Sequence, residues 1–123
     1  MSGISRDIQV LQKIINYCDE IDEAVDHFED SCDAMKKISA YKNAVCMCVL
    51  QIGELSGHLS DEFKSKYRGV PWKQIKGMRN LLAHRYGQVD VEELWNTIKN
   101  DIPTLCIYCR EIIAHLSECA EGS

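Results

Sequence analysis

Apolar side chains recur at intervals of three and four residues along almost the whole chain, from Ile4 to Leu116. This spacing belongs to one face of an α-helix, and no stretch alternates as a half-buried strand does. Only two of the 123 residues are prolines, so few positions interrupt a helix. The sequence therefore predicts an all-α fold, an up-and-down bundle of four to five helices. We expect one domain over residues 1–123, with the last few residues frayed.

The predicted first helix runs from Ile4 to Asp30 and carries two adjacent apolar seams. Together the seams make an apolar arc wider than one core face requires. A second partner surface would explain that width, and a homodimer is the simplest such partner.

The predicted second helix runs from Asp33 to about Leu59. Between Ala44 and Ile52, "AVCMCVLQI", it is apolar nearly all round, so we expect it to be the central helix. Glycine weakens a helix interior, and we interpret Gly53 and Gly77 as places where neighbouring helices approach closely.

Three signals divide the middle of the chain. Ser60 is a suitable N-cap for a short helix over "DEFKSKYR". Pro71 suits the first position of the next helix, which we predict from Trp72 to about Tyr86. Gly87 follows as a natural C-terminal cap.

The last predicted helix starts with a capping-box-like pair, Asp90 and Glu93. Pro103 lies inside this helix, where it lacks the N–H that the helix needs. We therefore expect a kink or a division into two helices at that point.

The charges of the chain are segregated. The window from Lys64 to Val89 holds seven basic residues and no acid, whereas the remainder carries a net charge of −12 within a total of −5. Such a basic segment could attract a phosphate-bearing ligand, with an affinity that falls as salt rises. It could equally be a solvated face whose charges pair with the acidic first and last helices.

The seven cysteines form an odd set, and no secretory signal precedes them. We expect reduced thiols and a cytoplasmic location. Cys106 and Cys109 share a helix face, which suits half a zinc site, a redox pair or simple apolar filling. No second ligand pair completes a metal site, and no apolar stretch approaches the roughly 20 residues that cross a bilayer. We predict neither a metal nor a membrane partner.

The segment "MRNLLAHRY" places Arg79 and His84 at the end of a predicted helix. A histidine can move protons, and an arginine can stabilise charge on a phosphate in a transition state. Together they suffice for RNA cleavage without a metal or other cofactor. Alternatively, Arg79 pairs with a carboxylate and His84 caps helix carbonyls. Five residues turn a helix by about 140°, so the two converge only if the helix end unwinds toward Gly87 or two protomers share a cleft.

The same segment resembles the Arg-x4-His-x-Tyr signature of HEPN-domain proteins, specifically HepT-like toxins. The resemblance extends to three stretches in the order and spacing of that family, and covers most of the chain. They are "IGELSGHLS" (52–60), "VPWKQIKGMRNLLAHRYGQVD" (70–90) and "LWNTIKNDIPTL" (94–105).

The resemblance implies roles for single residues. Arg79 and His84 match the arginine and histidine of a metal-independent ribonuclease site, and Asn80 matches the polar residue that commonly follows the arginine. Tyr86 matches a tyrosine that a partner nucleotidyltransferase antitoxin of the MNT class can modify with AMP. Relatives are implied to be homodimers with their motifs near the dimer cleft.

Two functions are therefore open. The first is an endoribonuclease toxin of a type II-like or type VII-like HEPN/MNT toxin–antitoxin pair, acting on tRNA or mRNA, with Lys73, Lys76 and Arg85 as candidate phosphate contacts. The second is a catalytically inactive HEPN accessory subunit that binds a nucleotidyltransferase or a nucleotide. A purely structural dimer, indifferent to the loss of Arg79 and His84, is the third interpretation.

Overall fold

The computed structural model describes the backbone of residues 3–121 and the side chains of residues 6–118, and this part contains helices and no strand. The all-α expectation is confirmed. The side chains of Ile4 and Cys119 lie outside the described residues, as do Gly122 and Ser123. The backbone of the predicted frayed end is helical as far as Glu121, so fraying was wrong for that part. The α-helices are α1 (Gly3–Phe28), α2 (Cys32–Lys37), α3 (Ser39–Ser56), α4 (Asp61–Lys66), α5 (Trp72–His84), α6 (Val91–Asn96) and α7 (Ile102–Glu121).

The helix predicted from Asp33 to Leu59 is two helices, so its continuity was wrong. Ile38 separates α2 from α3 with an extended backbone, at φ −107° and ψ 102°. The bend accompanies burial of Tyr41, whose hydroxyl donates a hydrogen bond of 2.8 Å to the carbonyl of Glu29. This long-range contact has no signature in the local periodicity. Ile38 itself, although apolar, is 36% exposed.

Helix α1 is covered on two sides within one chain, because α3 and α7 both pack along it. Its described seam positions are buried or half-buried, and Leu11 and Ile14 are fully enclosed. Two neighbouring helices of the same chain, α3 and α7, therefore cover the wide apolar arc of α1. Helix α3 also packs against α5, which confirms the central position predicted for this segment.

Helix α5 follows Pro71 as predicted but ends at His84, two residues early. The N–H of Arg85 donates to the carbonyl of Leu81 at 2.7 Å, and a 3₁₀ turn follows over Tyr86–Gln88. Gly87 is not a left-handed C-cap, since none of the described glycines has a positive φ. The predicted cap was wrong because the chain tightens into a 3₁₀ turn, which needs no left-handed residue.

Ser60 and Asp90 both cap their helices with a side-chain oxygen, but within residues 6–118 no bond from Glu93 completes the capping box predicted at Asp90. Ser60 Oγ accepts the N–H of Phe63 at 3.0 Å, and Asp90 Oδ1 accepts the N–H of Glu92 at 2.9 Å. The predicted interruption near Pro103 is also present. A π-turn over Thr97–Asp101 separates α6 from α7, so the helix leaves α geometry just before the proline.

None of the helices within residues 3–121 combines the length and apolar character that crossing a membrane requires.

Candidate active site

Helices α3 and α5 cross closely at Gly53 and Arg79. A Cβ added to Gly53 would lie 2.3 Å from Arg79 Cβ and 2.8 Å from Arg79 Cγ, closer than carbon atoms approach. Only glycine lets the stem of Arg79 lie against α3, which confirms the close approach predicted at Gly53. The same prediction was wrong for Gly77, where an added Cβ would meet nothing within 4 Å.

The guanidinium of Arg79 is held by Glu54 of α3 and by its own neighbour, Asn80. Nε and Nη2 lie 2.7 and 2.6 Å from Glu54 Oε1, and Nη1 donates to Asn80 Oδ1 at 2.9 Å. The carboxylate partner foreseen for Arg79 is therefore present. The arginine side chain is still 32% exposed, so it remains within reach of a ligand.

Arg79 stands in the wall of a cleft of about 870 Å³, formed by the end of α3, by α4 and by the first part of α5. Most of the basic window lines this cleft, while Lys66 and Arg85 lie outside it. The basic window residues in its wall are Lys64, Arg68, Lys73, Lys76 and Arg79.

The basic window is almost free of ion pairs. Of the four ion pairs found among the described residues, only the one between Arg79 and Glu54 involves this window. The acids of the predicted first and last helices pair instead with Lys36, Lys99 and Arg110. The predicted pairing of the window with the first and last helices was therefore wrong, and its charges face solvent.

His84 is the final residue of α5 and is exposed. It does not line the cleft that contains Arg79 and Asn80. Its side chain makes no hydrogen bond or ion pair with another residue of the described part, so the carbonyl-capping alternative was wrong. One chain thus brings Arg79 and Asn80 together and leaves His84 beyond the cleft.

Tyr86 follows α5 in the 3₁₀ turn and is 41% exposed. Its hydroxyl donates to Asn43 Oδ1 of α3, and Lys42 Nζ lies 5.4 Å from the centre of its ring. Partial burial, together with the nearby thiol of Cys46, raises the pKa of the Tyr86 hydroxyl. The tyrosine is therefore protonated near neutral pH and fastened to α3 by its side chain.

The family model for the HepT-like ribonucleases ("Ribonuclease HepT-like") matches residues 14–112, a range that contains the cleft, His84 and Tyr86. The chain belongs to this family. The family resemblance drawn from the motifs is confirmed, and so, at the level of the family, is the expectation of a ribonuclease.

Three relatives of this HepT-like chain carry ribonuclease names. A candidate RNase of Methanocaldococcus jannaschii is 39% identical over 62 residues, which are 50% of this chain and 57% of the relative. The probable ribonuclease HepT of Thermococcus cleftensis is 34% identical over 95 residues, 65% of this chain and 86% of the relative. A second candidate RNase of M. jannaschii is 34% identical over 116 residues, covering 92% and 97% of the two chains. No solved structure matches the chain.

Sequence reasoning missed two residues of this candidate site, Glu54 and Asn43, which contact Arg79 and Tyr86. Glu54 sits beside Gly53 in "IGELS", so a carboxylate next to a contact glycine was the available signal. Asn43 follows Lys42 near the start of α3, and nothing local connects it with Tyr86. Both are defined by the packing of α3 against the α5 region.

The six described cysteines are unbonded, and Cys18 lies near Cys106 and Cys109 where α1 meets α7. Burial raises the pKa of Cys109 to about 12, which is the behaviour of an enclosed thiol. Within residues 6–118, no three or more His, Cys, Asp or Glu side chains are grouped so that they could hold a metal ion. The apolar-filler interpretation fits Cys109 best, since its side chain is fully enclosed.

Proposed function

We propose that this protein is a metal-independent RNA endonuclease and the toxin of a HEPN/MNT toxin–antitoxin pair. The observation that supports it best is the setting of Arg79, which lines a basic cleft in a member of a ribonuclease family. A guanidinium in that position can bind the phosphate at which RNA is cut.

The proposed reaction needs two groups. His84 accepts the proton of a ribose 2′-hydroxyl, whose oxygen attacks the adjacent phosphorus, and the bond to the 5′-oxygen breaks. The imidazolium returns the proton to that leaving oxygen, giving a 2′,3′-cyclic phosphate and a 5′-hydroxyl. Arg79 stabilises the charge that develops on the phosphoryl oxygens. Positioned proton transfer of this kind contributes a factor of about 10² to 10⁴ in rate.

A homodimer is part of the proposal, since His84 lies outside the cleft of its own chain. If the C-terminal end of α5 in a second protomer packs beside the cleft of the first, the His84 imidazole of the second protomer comes close to Arg79 of the first. Light scattering at micromolar concentration should give twice the chain mass of 14.0 kDa. A monomeric mass would remove this route to a complete site.

The proposed regulator is a nucleotidyltransferase of the MNT class that transfers AMP to Tyr86. A modified Tyr86 would carry bulk and negative charge two residues from His84, where it would repel RNA phosphates. We place toxin and antitoxin together in the cytoplasm.

The test is cleavage of total RNA and tRNA in EDTA by the wild type, Arg79→Ala and His84→Ala. We expect cleavage by the wild type alone, with cyclic phosphate ends. Lys66→Ala is a matched control, because it removes a basic residue of the same window that lies outside the cleft. Equal cleavage by all variants would contradict the assignment of Arg79 and His84.

A second function has an observation in its favour. Arg79 is already paired with Glu54 and Asn80, and His84 stands apart from both. A catalytically inactive accessory subunit that binds a nucleotidyltransferase or a nucleotide would need no more than this. It predicts a folded dimer, free of AMP, that cleaves no RNA.

A further inference from the structure

We propose that the cleft beside Arg79 is a binding site for unpaired nucleotides, with Trp72 as the stacking surface and Lys64, Arg68 and Lys73 as phosphate contacts. This inference deepens the proposed function and rests on it. It assigns the substrate class as single-stranded RNA, held on the side of Arg79 away from His84.

The charge of the cleft supports a polyanionic ligand. Lys64, Lys73 and Lys76 make no ion pair within the described part of the chain, and Arg68 uses only Nε, which donates to the carbonyl of Ser65 at 2.9 Å. The wall also holds two carboxylates, Glu54, which is paired with Arg79, and Asp61, so five cations face two acids. Clustered cations without partners are the feature that draws in a nucleic-acid backbone.

Trp72 supplies the second component, an aromatic side chain fixed in place. Its indole Nε1 donates to the carbonyl of Tyr67 at 3.0 Å, and its backbone N–H donates to the carbonyl of Val70 at 2.8 Å. The ring is only half-buried and lines the cleft, so part of it is accessible to a ligand. Fixed aromatic rings flanked by cations bind single strands by stacking on their bases.

The cleft has the right capacity for this ligand. Its volume of about 870 Å³ lies within the usual range for small-molecule sites, which suits one or two nucleotides. The bases of a duplex are covered by their neighbours, so they cannot stack on a side chain without opening. Loops and single-stranded ends present free bases, and these are the parts of RNA that proteins usually read.

The decisive experiment measures binding separately from cleavage. A fluorescein-labelled single-stranded 2′-O-methyl RNA has no attacking hydroxyl, so its anisotropy reports binding alone. Lys64→Glu should weaken binding about ten-fold or more, because a phosphate contact becomes a repulsion. Lys66→Glu, on the same helix but outside the cleft, changes net charge equally and should weaken binding only about two-fold. Equal losses in the two variants would overturn the proposal.

A second measurement tests Trp72 without removing it. Trp95→Phe leaves Trp72 as the only tryptophan of the chain, which has two. Saturation with the same probe should quench the Trp72 emission, and a duplex of that sequence should compete less well than the single strand. Bound RNA that leaves the emission unchanged would exclude stacking on Trp72.

The outcomes separate this inference from the proposed function. Probe binding that depends on Lys64 and Trp72, without any RNA cleavage, would reject the nuclease and keep the nucleotide site. Cleavage that is equally sensitive to Lys64→Glu and Lys66→Glu would keep the nuclease and reject the site.

Discussion

Glu54 and Arg79 meet through one carboxylate oxygen, which accepts from Nε at 2.7 Å and Nη2 at 2.6 Å. Both side chains are about one-third to two-fifths exposed, so solvent weakens the pair and it stabilises the fold by at most about 1 kcal/mol. Its larger effect falls on the ligand. The carboxylate fixes the direction of the guanidinium and also repels any phosphate that approaches it.

Replacing Glu54 by Gln should tighten RNA binding. The amide oxygen can still orient Arg79, while the negative charge beside the phosphate is gone, an effect of about 1 kcal/mol or roughly five-fold in Kd. Anisotropy with the 2′-O-methyl probe measures the change. Glu92→Gln is the matched control, because Glu92 pairs with Lys36 at 2.8 Å away from the cleft. Weaker binding in Glu54→Gln would show that the orientation of Arg79 by the carboxylate matters more than the repulsion of the phosphate.

The two glycines of α3 and α5 should respond to alanine in opposite ways. Gly53→Ala puts a methyl group onto the stem of Arg79, so we expect a loss of about 1–3 kcal/mol in stability and a strong loss of RNA cleavage. Gly77→Ala enters open space within a helix and should stabilise the protein by about 0.5–1 kcal/mol. Urea unfolding of both variants gives the comparison. A stabilised Gly53→Ala protein would contradict the close contact.

Tyr86 should be the residue that accepts AMP from the cognate nucleotidyltransferase with ATP. Intact-mass analysis should show one AMP adduct on the wild type and none on Tyr86→Phe. Asn43→Ala should be modified faster, because it frees the hydroxyl that now donates to Asn43 Oδ1. Tyr17→Phe serves as a control at a half-buried tyrosine outside the motif, and this variant should still gain one AMP. An AMP adduct that persists in Tyr86→Phe would show that another residue is modified.

The stability of the protein should fall above about pH 9. Burial raises the pKa of Cys109 from 9.0 to about 12, so the unfolded chain releases this proton while the folded chain retains it. Each pH unit between those values removes up to about 1.4 kcal/mol of stability per such thiol, and the loss ends near pH 12. Urea unfolding at pH 8 and pH 10.5 in a reducing agent should show a smaller decrease for Cys109→Ala than for the wild type. Cys32→Ala, at the half-buried start of α2, is the control, and an equal decrease in all three would contradict the assignment to Cys109.

Local sequence signals predicted where several helices start. Ser60, Pro71 and Asp90 act through their immediate neighbours, and each stands at a helix start in the structure. The bend at Ile38 and the end of α5 at His84 were not predictable in this way. The chain bends at Ile38 next to Tyr41, whose hydroxyl donates to the carbonyl of Glu29. The turn after His84 is held against α3 by the hydrogen bond from Tyr86 to Asn43. Periodicity carries no information about such distant contacts.

The site was predictable in its parts but only partly in its arrangement. The signature residues and the basic window are visible in the sequence, as is the contact role of Gly53. The partner of Arg79 depends on how α3 crosses α5, and the separation of His84 from the cleft depends on where α5 ends. The single domain, the catalytic roles and the homodimer stay predictions.

The division of charge described above sets one basic segment against an acidic remainder. This segment, the basic pole of the chain between Lys64 and Val89, carries +7 against −12 for the remainder. An approaching polyanion is repelled by most of the surface and exerts a torque that turns the basic pole toward it before contact. A protein with a net charge of −5 can therefore capture RNA in one orientation. Added salt screens the long-range electrostatic torque, so it would reduce this alignment before it weakened any hydrogen bond.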